Sequence, residues 1–268
     1  MFMILLSAAL LFPALQLEAR TVYVTRHAQV GYPIKEIQET RITELGVGQA
    51  QALADFLVKK CQFNGVIYAS PFYRTIETAA YTGKLLKKKV ILEPGLQELA
   101  TSPRPAPPGM ALAKIQSFFP EMTVPGKRYR DPWRLCGETH LQRNKRVTAT
   151  LDKILAEEKG DILLVGHGAS VGSLIWALNH RRIKGVGKIK GITWNCALYI
   201  VELDDNDRVT GWKYTTEFMA DKDVTSNFRC PKIERPDDPK YMTRAQDKAD
   251  RAKSAAKSRK PIRKSEKK

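Results

Sequence analysis

The sequence predicts an α/β fold, a three-layer α/β/α sandwich around a mostly parallel central sheet. Two patterns point there. Short apolar runs rich in β-formers, at residues 22–24, 66–69, 90–92 and 161–165, alternate with longer stretches of helical periodicity. Each run also stops abruptly at small, turn-forming or charged residues, as a strand buried on both faces does before a crossover helix. There is no internal repeat. With 268 residues, 43% of them hydrophobic, the chain can bury one sizeable core and still carry extensions.

The first nineteen residues stand apart. They are apolar except for Ser7, Pro13, Gln16 and the closing Glu18, and end at Ala19. That is the form of a signal-peptide core with a small-residue cleavage site, although no Lys or Arg precedes it. A cleaved signal is the leading expectation, with a secreted or periplasmic location. An uncleaved membrane anchor and a buried N-terminal helix are the alternatives, and Pro13 makes the stretch poor as a bilayer span.

The domain is expected over residues 20–228. Its first strand is Val22-Tyr23-Val24-Thr25, running into Arg26-His27-Ala28. Gly31-Tyr32-Pro33 breaks it, and Thr43 is placed to N-cap a helix whose apolar face is Leu45, Ala52, Leu53, Phe56 and Leu57. The strand at 66–69 ends in Ser70-Pro71, which suits an N-cap followed by Pro at the first helical position, with the helix running to about Lys87. A third strand at 90–92 closes on Glu93-Pro94-Gly95.

Over residues 101–136 the periodicity fails. Seven prolines fall between 103 and 132 around one short helix-like piece near 110–119, the pattern of a lid insertion. Arg104, Lys127, Arg128, Arg130 and Arg134 make it basic. A helix over 138–159, with Val147, Leu151, Ile154 and Leu155 inward, leads to the strand 161–165, then Gly166-His167-Gly168 and a helix over 169–179. Strands over 194–203 and 209–218 follow, the last pairing at an edge.

Net charge is +17 and unevenly spread. From Lys240 onward there are 12 Lys and Arg against three acidic residues, hence +9, and no large hydrophobe after Met242 except Ile262. Residues 229–268 therefore read as a disordered basic tail, either solvated or weakly attractive to polyanions. Four cysteines (Cys61, Cys136, Cys196, Cys230) show no C-x-x-C spacing, so no zinc site is expected and their pairing stays open. Cys196 reads as a small buried hydrophobe.

Ligands of open α/β sheets bind beyond the carboxyl ends of the strands. That edge should receive Arg26 and His27 from the first strand, Ser70-Pro71 and Arg74 from the second, Glu98 after the third, and His167 from the fourth. Two guanidiniums, two imidazoles and a carboxylate would meet there. Two of the four histidines fall at strand ends. His180 reads as a helix C-terminal residue facing the dipole, and His140 has no assigned role. Glu93 is the competing carboxylate near Glu98.

The ordered set resembles the histidine phosphatase superfamily, the phosphoglycerate-mutase-like branch 1. It consists of Arg26-His27-Ala28, Thr43-Glu44-Leu45-Gly46 with Gln49-Ala50, Ser70-Pro71-Phe72-Tyr73-Arg74-Thr75-Ile76-Glu77-Thr78-Ala79, Leu96-Gln97-Glu98, Gly137-Glu138-Thr139 with Arg146, and Val165-Gly166-His167-Gly168. The likeness spans residues 21–218. It implies His27 as nucleophile carrying a phosphohistidine, Arg26, Arg74 and His167 as the phosphoryl clamp, and Glu98 as general acid and base. His167 thus counts among both the catalytic and the phosphate-binding residues. No metal or other cofactor is implied, and no H-E-x-x-H or carboxylate cluster offers a metal site. Ala28 departs from the family's usual glycine and would be strained if its φ were positive.

The expected activity is phosphomonoester hydrolysis of a small phosphorylated substrate or phosphopeptide. The alternatives are a phosphoglycerate-type mutase, a catalytically silent phosphate-binding protein, and a polyanion binder driven by the tail.

Overall fold

The computed structural model describes residues 19–33, 37–99, 109–120, 122–130, 138–225 and 241–242. In chain order its elements are β1 (Arg20–Arg26), β2 (Tyr32–Pro33), α1 (Glu44–Asp55), β3 (Val66–Ala69), α2 (Tyr73–Leu86), β4 (Val90–Leu92), α3 (Leu112–Phe118), β5 (Thr123–Pro125), α4 (His140–Glu157), β6 (Ile162–Gly166), α5 (Gly168–Asn179), β7 (Leu198–Leu203), β8 (Val209–Thr215) and β9 (Tyr241–Met242). The central sheet has seven strands in the order β5-β4-β3-β6-β1-β7-β8. The strands from β5 through β1 run parallel, and β7 and β8 complete one edge antiparallel.

Strand alternation assigns side chains to the two faces. Val22, Val24, Ile162 and Leu164 pack with Leu151, Ile154, Leu174 and Leu178 of α4 and α5. Tyr23, Leu163 and Val165 turn the other way, onto Leu53 and Leu57 of the α1 segment and Ala79 of α2. Both faces are covered, which is why these strands are apolar throughout rather than alternating. Each fully buried aliphatic side chain contributes about 1.5–3 kcal/mol.

Helix starts follow local chemistry. Thr43 caps α1 by accepting from the Gly46 amide at 3.1 Å. Thr139 and Gln142 form a reciprocal capping box at α4, worth about 1 kcal/mol. One expected cap is absent. Phe72, not Ser70, precedes α2, and it contributes no side-chain cap. The Ser70 hydroxyl is engaged elsewhere. The strand expected over 194–203 begins only at Leu198, because residues 195–197 turn, with Cys196 in the left-handed region at φ 57°. The insertion also contributes to the sheet itself, since β5 adds an edge strand parallel to β4. An edge tolerates Pro125, which has no amide hydrogen to donate.

Of the basic tail, Tyr241–Met242 form a short antiparallel pair with β2, so it is not wholly without regular structure. The segment up to residue 18, which the sequence reading takes for a signal, lies outside the described residues, as do Arg104, Arg134, Cys136, Cys230 and the rest of the tail. Cys61 and Cys196 are free thiols. Among the described residues no helix is long and apolar enough to cross a membrane.

Candidate active site

The register of the parallel strands assembles the site. Arg26 pairs with Gly166 across β1 and β6, and Ala69 pairs with Val165 across β3 and β6. The next residues, His27, His167 and Ser70, therefore leave the sheet side by side at the carboxyl ends of the adjacent strands β1, β6 and β3. The imidazoles of His27 and His167 are 5.4 Å apart between centroids, in an edge-to-face arrangement at 64°.

His27 is held from every side. Its amide donates to Gly166 O at 2.9 Å, and its carbonyl accepts from Asn195 Nδ2 at 2.9 Å. The following amides of Ala28 and Gln29 donate to Thr78 Oγ1 (2.9 Å) and Gln49 Oε1 (2.7 Å). His27 Nδ1 lies 2.8 Å from Ala28 O. A carbonyl only accepts, so Nδ1 carries the proton and Nε2 keeps its lone pair. Burial, reinforced by the neighbouring charges of Arg74 and Arg26, holds the ring pKa well below the usual histidine range. The imidazole is neutral and has a free nucleophilic nitrogen.

His167 is equally buried, and Ser70 Oγ lies 2.8 Å from its Nε2. Desolvation, with Arg74, His27 and Arg26 adding repulsion, again pushes its pKa down. The Arg26 guanidinium is buried and donates through Nη1 to Thr193 O at 2.9 Å, while its Nε has no partner among the described residues. Arg74 emerges on the first turn of α2 and stacks on the Phe72 ring with 4.6 Å from Cζ to the centroid. Two cations beside two neutral imidazoles form a pocket suited to an anion.

Glu98 reaches the same edge. Its Oε1 accepts from the Ala169 amide (3.2 Å) in the first turn of α5 and from Leu99 N (2.8 Å), and its charge is felt at Arg26. Glu93, the competing carboxylate, is buried in a structural role. It accepts from Gly95 N at 2.8 Å and pairs with Arg128 of the insertion, which also bridges to Glu157. Arg146 supports the Glu98 loop by donating to Gly95 O (2.6 Å) while paired with Glu138.

The structure thus brings together all five residues marked from sequence: Arg26, His27, Arg74, Glu98 and His167. Ala28 is not among the four described non-glycine residues with positive φ, so its methyl group brings no backbone strain. His180 caps α5, its Nδ1 2.7 Å from Trp176 O, and His140 Nδ1 lies 3.0 Å from Arg143 Nη1. The sequence reading missed Asn195, whose one signal is an amide in the apolar run 194–201. Its neighbour Cys196 takes the left-handed backbone that lets its amide reach Arg26 O at 3.1 Å. Among the described residues no group of three or more His, Cys, Asp or Glu is arranged to hold a metal ion.

The family model described as the histidine phosphatase superfamily (branch 1) matches residues 22–215. A putative phosphoserine phosphatase 2 from Hydrogenobacter thermophilus is 28% identical over 166 residues, 59% of this chain and 78% of that protein. The transcription factor tau 55 kDa subunit of Saccharomyces cerevisiae is 33% identical over 117 residues, 37% of this chain. The match spans only 26% of the yeast protein's length. Two solved structures superpose with a TM-score of 0.51. One is the ecdysone phosphate phosphatase of Bombix mori with tungstate, at 16% identity over 75% of this chain and 93% of that one. The other is Bacillus stearothermophilus YhfR, at 19% identity over 76% and 100%. At these identities the likeness is one of fold.

Proposed function

Because the chain belongs to the histidine phosphatase superfamily, branch 1, we propose that it is a metal-independent phosphomonoester hydrolase working through a phosphohistidine on His27. One observation carries this reading. A neutral, buried imidazole anchored through Nδ1 presents a bare Nε2 beside a second imidazole and two arginines.

In the first step His27 Nε2 attacks phosphorus, the bond to the leaving oxygen breaks, and Glu98 gives that oxygen a proton. In the second, the Glu98 carboxylate takes a proton from water, whose oxygen displaces His27 and releases inorganic phosphate. Charge spread over three phosphoryl oxygens is met by the Arg26 and Arg74 guanidiniums and by His167, so positioning and electrostatics supply most of the rate. A well-placed carboxylate adds about 10²- to 10⁴-fold.

The test uses p-nitrophenyl phosphate. His27→Ala should retain the wild-type circular dichroism spectrum and lose turnover, and the wild type should form an acid-labile, alkali-stable phosphoenzyme that the variant does not form. Turnover unchanged in His27→Ala sinks the assignment. A phosphoester panel including 3-phosphoglycerate separates hydrolysis from mutase activity. EDTA should leave turnover intact, and its abolition by EDTA counts against metal independence. Export belongs to the same proposal and rests on residues 1–19 alone. Fractionation that finds the full-length chain in the cytoplasm contradicts it.

A further inference from the structure

Ser70 ends β3 and is wholly buried. Its amide donates to Val165 O at 3.1 Å, and its carbonyl accepts from Thr75 Oγ1 at 2.7 Å. The hydroxyl does not cap α2, which starts after Phe72. Among the described residues its hydrogen-bonding partner is His167 Nε2 at 2.8 Å. A buried hydroxyl proton needs an acceptor, and a bare Nε2 is the acceptor present. If Nε2 carried the proton instead, the serine proton would be left without one.

The second ring nitrogen of His167, Nδ1, is also buried and has no partner among the described residues. We infer that Ser70 is a positioning residue that fixes His167 as the Nδ1–H tautomer, so that the nitrogen no described residue uses becomes a donor to a phosphoryl oxygen. The inference rests on the reading that His167 borders the transferred group. Both histidines then hold the same tautomer with opposite free atoms. His27 anchors Nδ1 on Ala28 O and offers the lone pair of Nε2 for attack. His167 anchors Nε2 on Ser70 and offers the proton of Nδ1 for stabilisation. The ring stays neutral because burial and the flanking arginines disfavour its charged form, so tautomer identity decides whether it donates or repels.

The experiment is long-range ¹H–¹⁵N correlation on the full chain labelled with ¹⁵N-histidine, with the His167 signals assigned by their loss in His167→Asn. Wild type should show a protonated Nδ1 and a bare Nε2, and orthophosphate should shift the Nδ1–H signal. In Ser70→Ala the proton should redistribute toward Nε2, and kcat for p-nitrophenyl phosphate should fall about 10- to 100-fold with a smaller change in KM. Ser70→Thr, which keeps the hydroxyl, should recover most of the loss. A wild-type spectrum with Nε2 protonated overturns the inference even if neither Ser70 variant folds, and so does an unchanged tautomer in Ser70→Ala. Failure of orthophosphate to move either His167 signal overturns instead the placement of His167 at the phosphoryl group.

Discussion

At the scale of single residues, the placement of His27 depends on a group outside the cluster of imidazoles and guanidiniums. The carbonyl of His27 is buried and accepts from Asn195, itself anchored through its amide to Thr225 O at 2.8 Å. Removing the Asn195 side chain leaves that carbonyl without this partner, at a cost of about 1–3 kcal/mol. It also frees the His27 backbone to shift. Asn195→Ala should therefore lower the urea midpoint and reduce kcat more than it raises KM. A variant with wild-type stability and turnover shows that the contact is dispensable.

At the scale of elements, the parallel strands set the imidazoles and helix α4 sets the carboxylate. Arg146 on α4 pairs with Glu138 and donates to Gly95 O in the loop that ends at Glu98. The pair is largely buried, so deleting one partner leaves an uncompensated charge and costs about 3 kcal/mol. Arg146→Met should lower both stability and kcat. The double variant Glu138→Gln with Arg146→Met should regain part of the stability without the turnover, because Gly95 O still lacks its Arg146 donor. Thermal melts alongside kcat and KM test this, and full recovery of kcat in the double variant refutes the positioning role. The insertion is tied to the same scaffold, through Arg128 to Glu93 and Glu157 and through Met110, Ile115, Phe119 and Tyr129 packed on Phe72, Tyr73 and Ile76.

At the scale of the whole molecule, two buried neutral histidines make folding pH-dependent. Both have folded pKa values below the unfolded value of about 6.5. As pH falls through that value the unfolded chain takes up protons that the folded chain refuses. Stability is therefore fully present above about pH 6.5 and declines below it, by up to about 1.4 kcal/mol per pH unit for each histidine. Melting temperature measured from pH 7.5 to 5 should fall, and more gently in His167→Gln. A flat profile refutes the burial of both rings in the neutral form. The basic tail, by contrast, should contribute little. Truncation after Pro239 removes the two-residue pairing of β9 with β2, and the melting temperature should drop by no more than about 4 °C. A larger drop would mean that the tail packs on the domain.

From the sequence alone came the fold class, the strand ends that carry Arg26, His27 and His167, and the cap Thr43, whereas the cap Thr139 of α4 emerged only with the structure. Each of the former is written in local periodicity, turn chemistry or motif spacing. What only the tertiary structure decided is which groups meet. Glu93 and Glu98 are alike as loop carboxylates until Arg128 arrives from the insertion to claim the first. Ser70 reads as a helix cap until strand register sets it against His167, a residue 97 positions away. Asn195 has no local pattern, because its reason for being there is a carbonyl 168 residues distant. Such pairings follow from sheet order and register, and those are settled by burying both faces of the sheet at once, a condition no single stretch of chain contains.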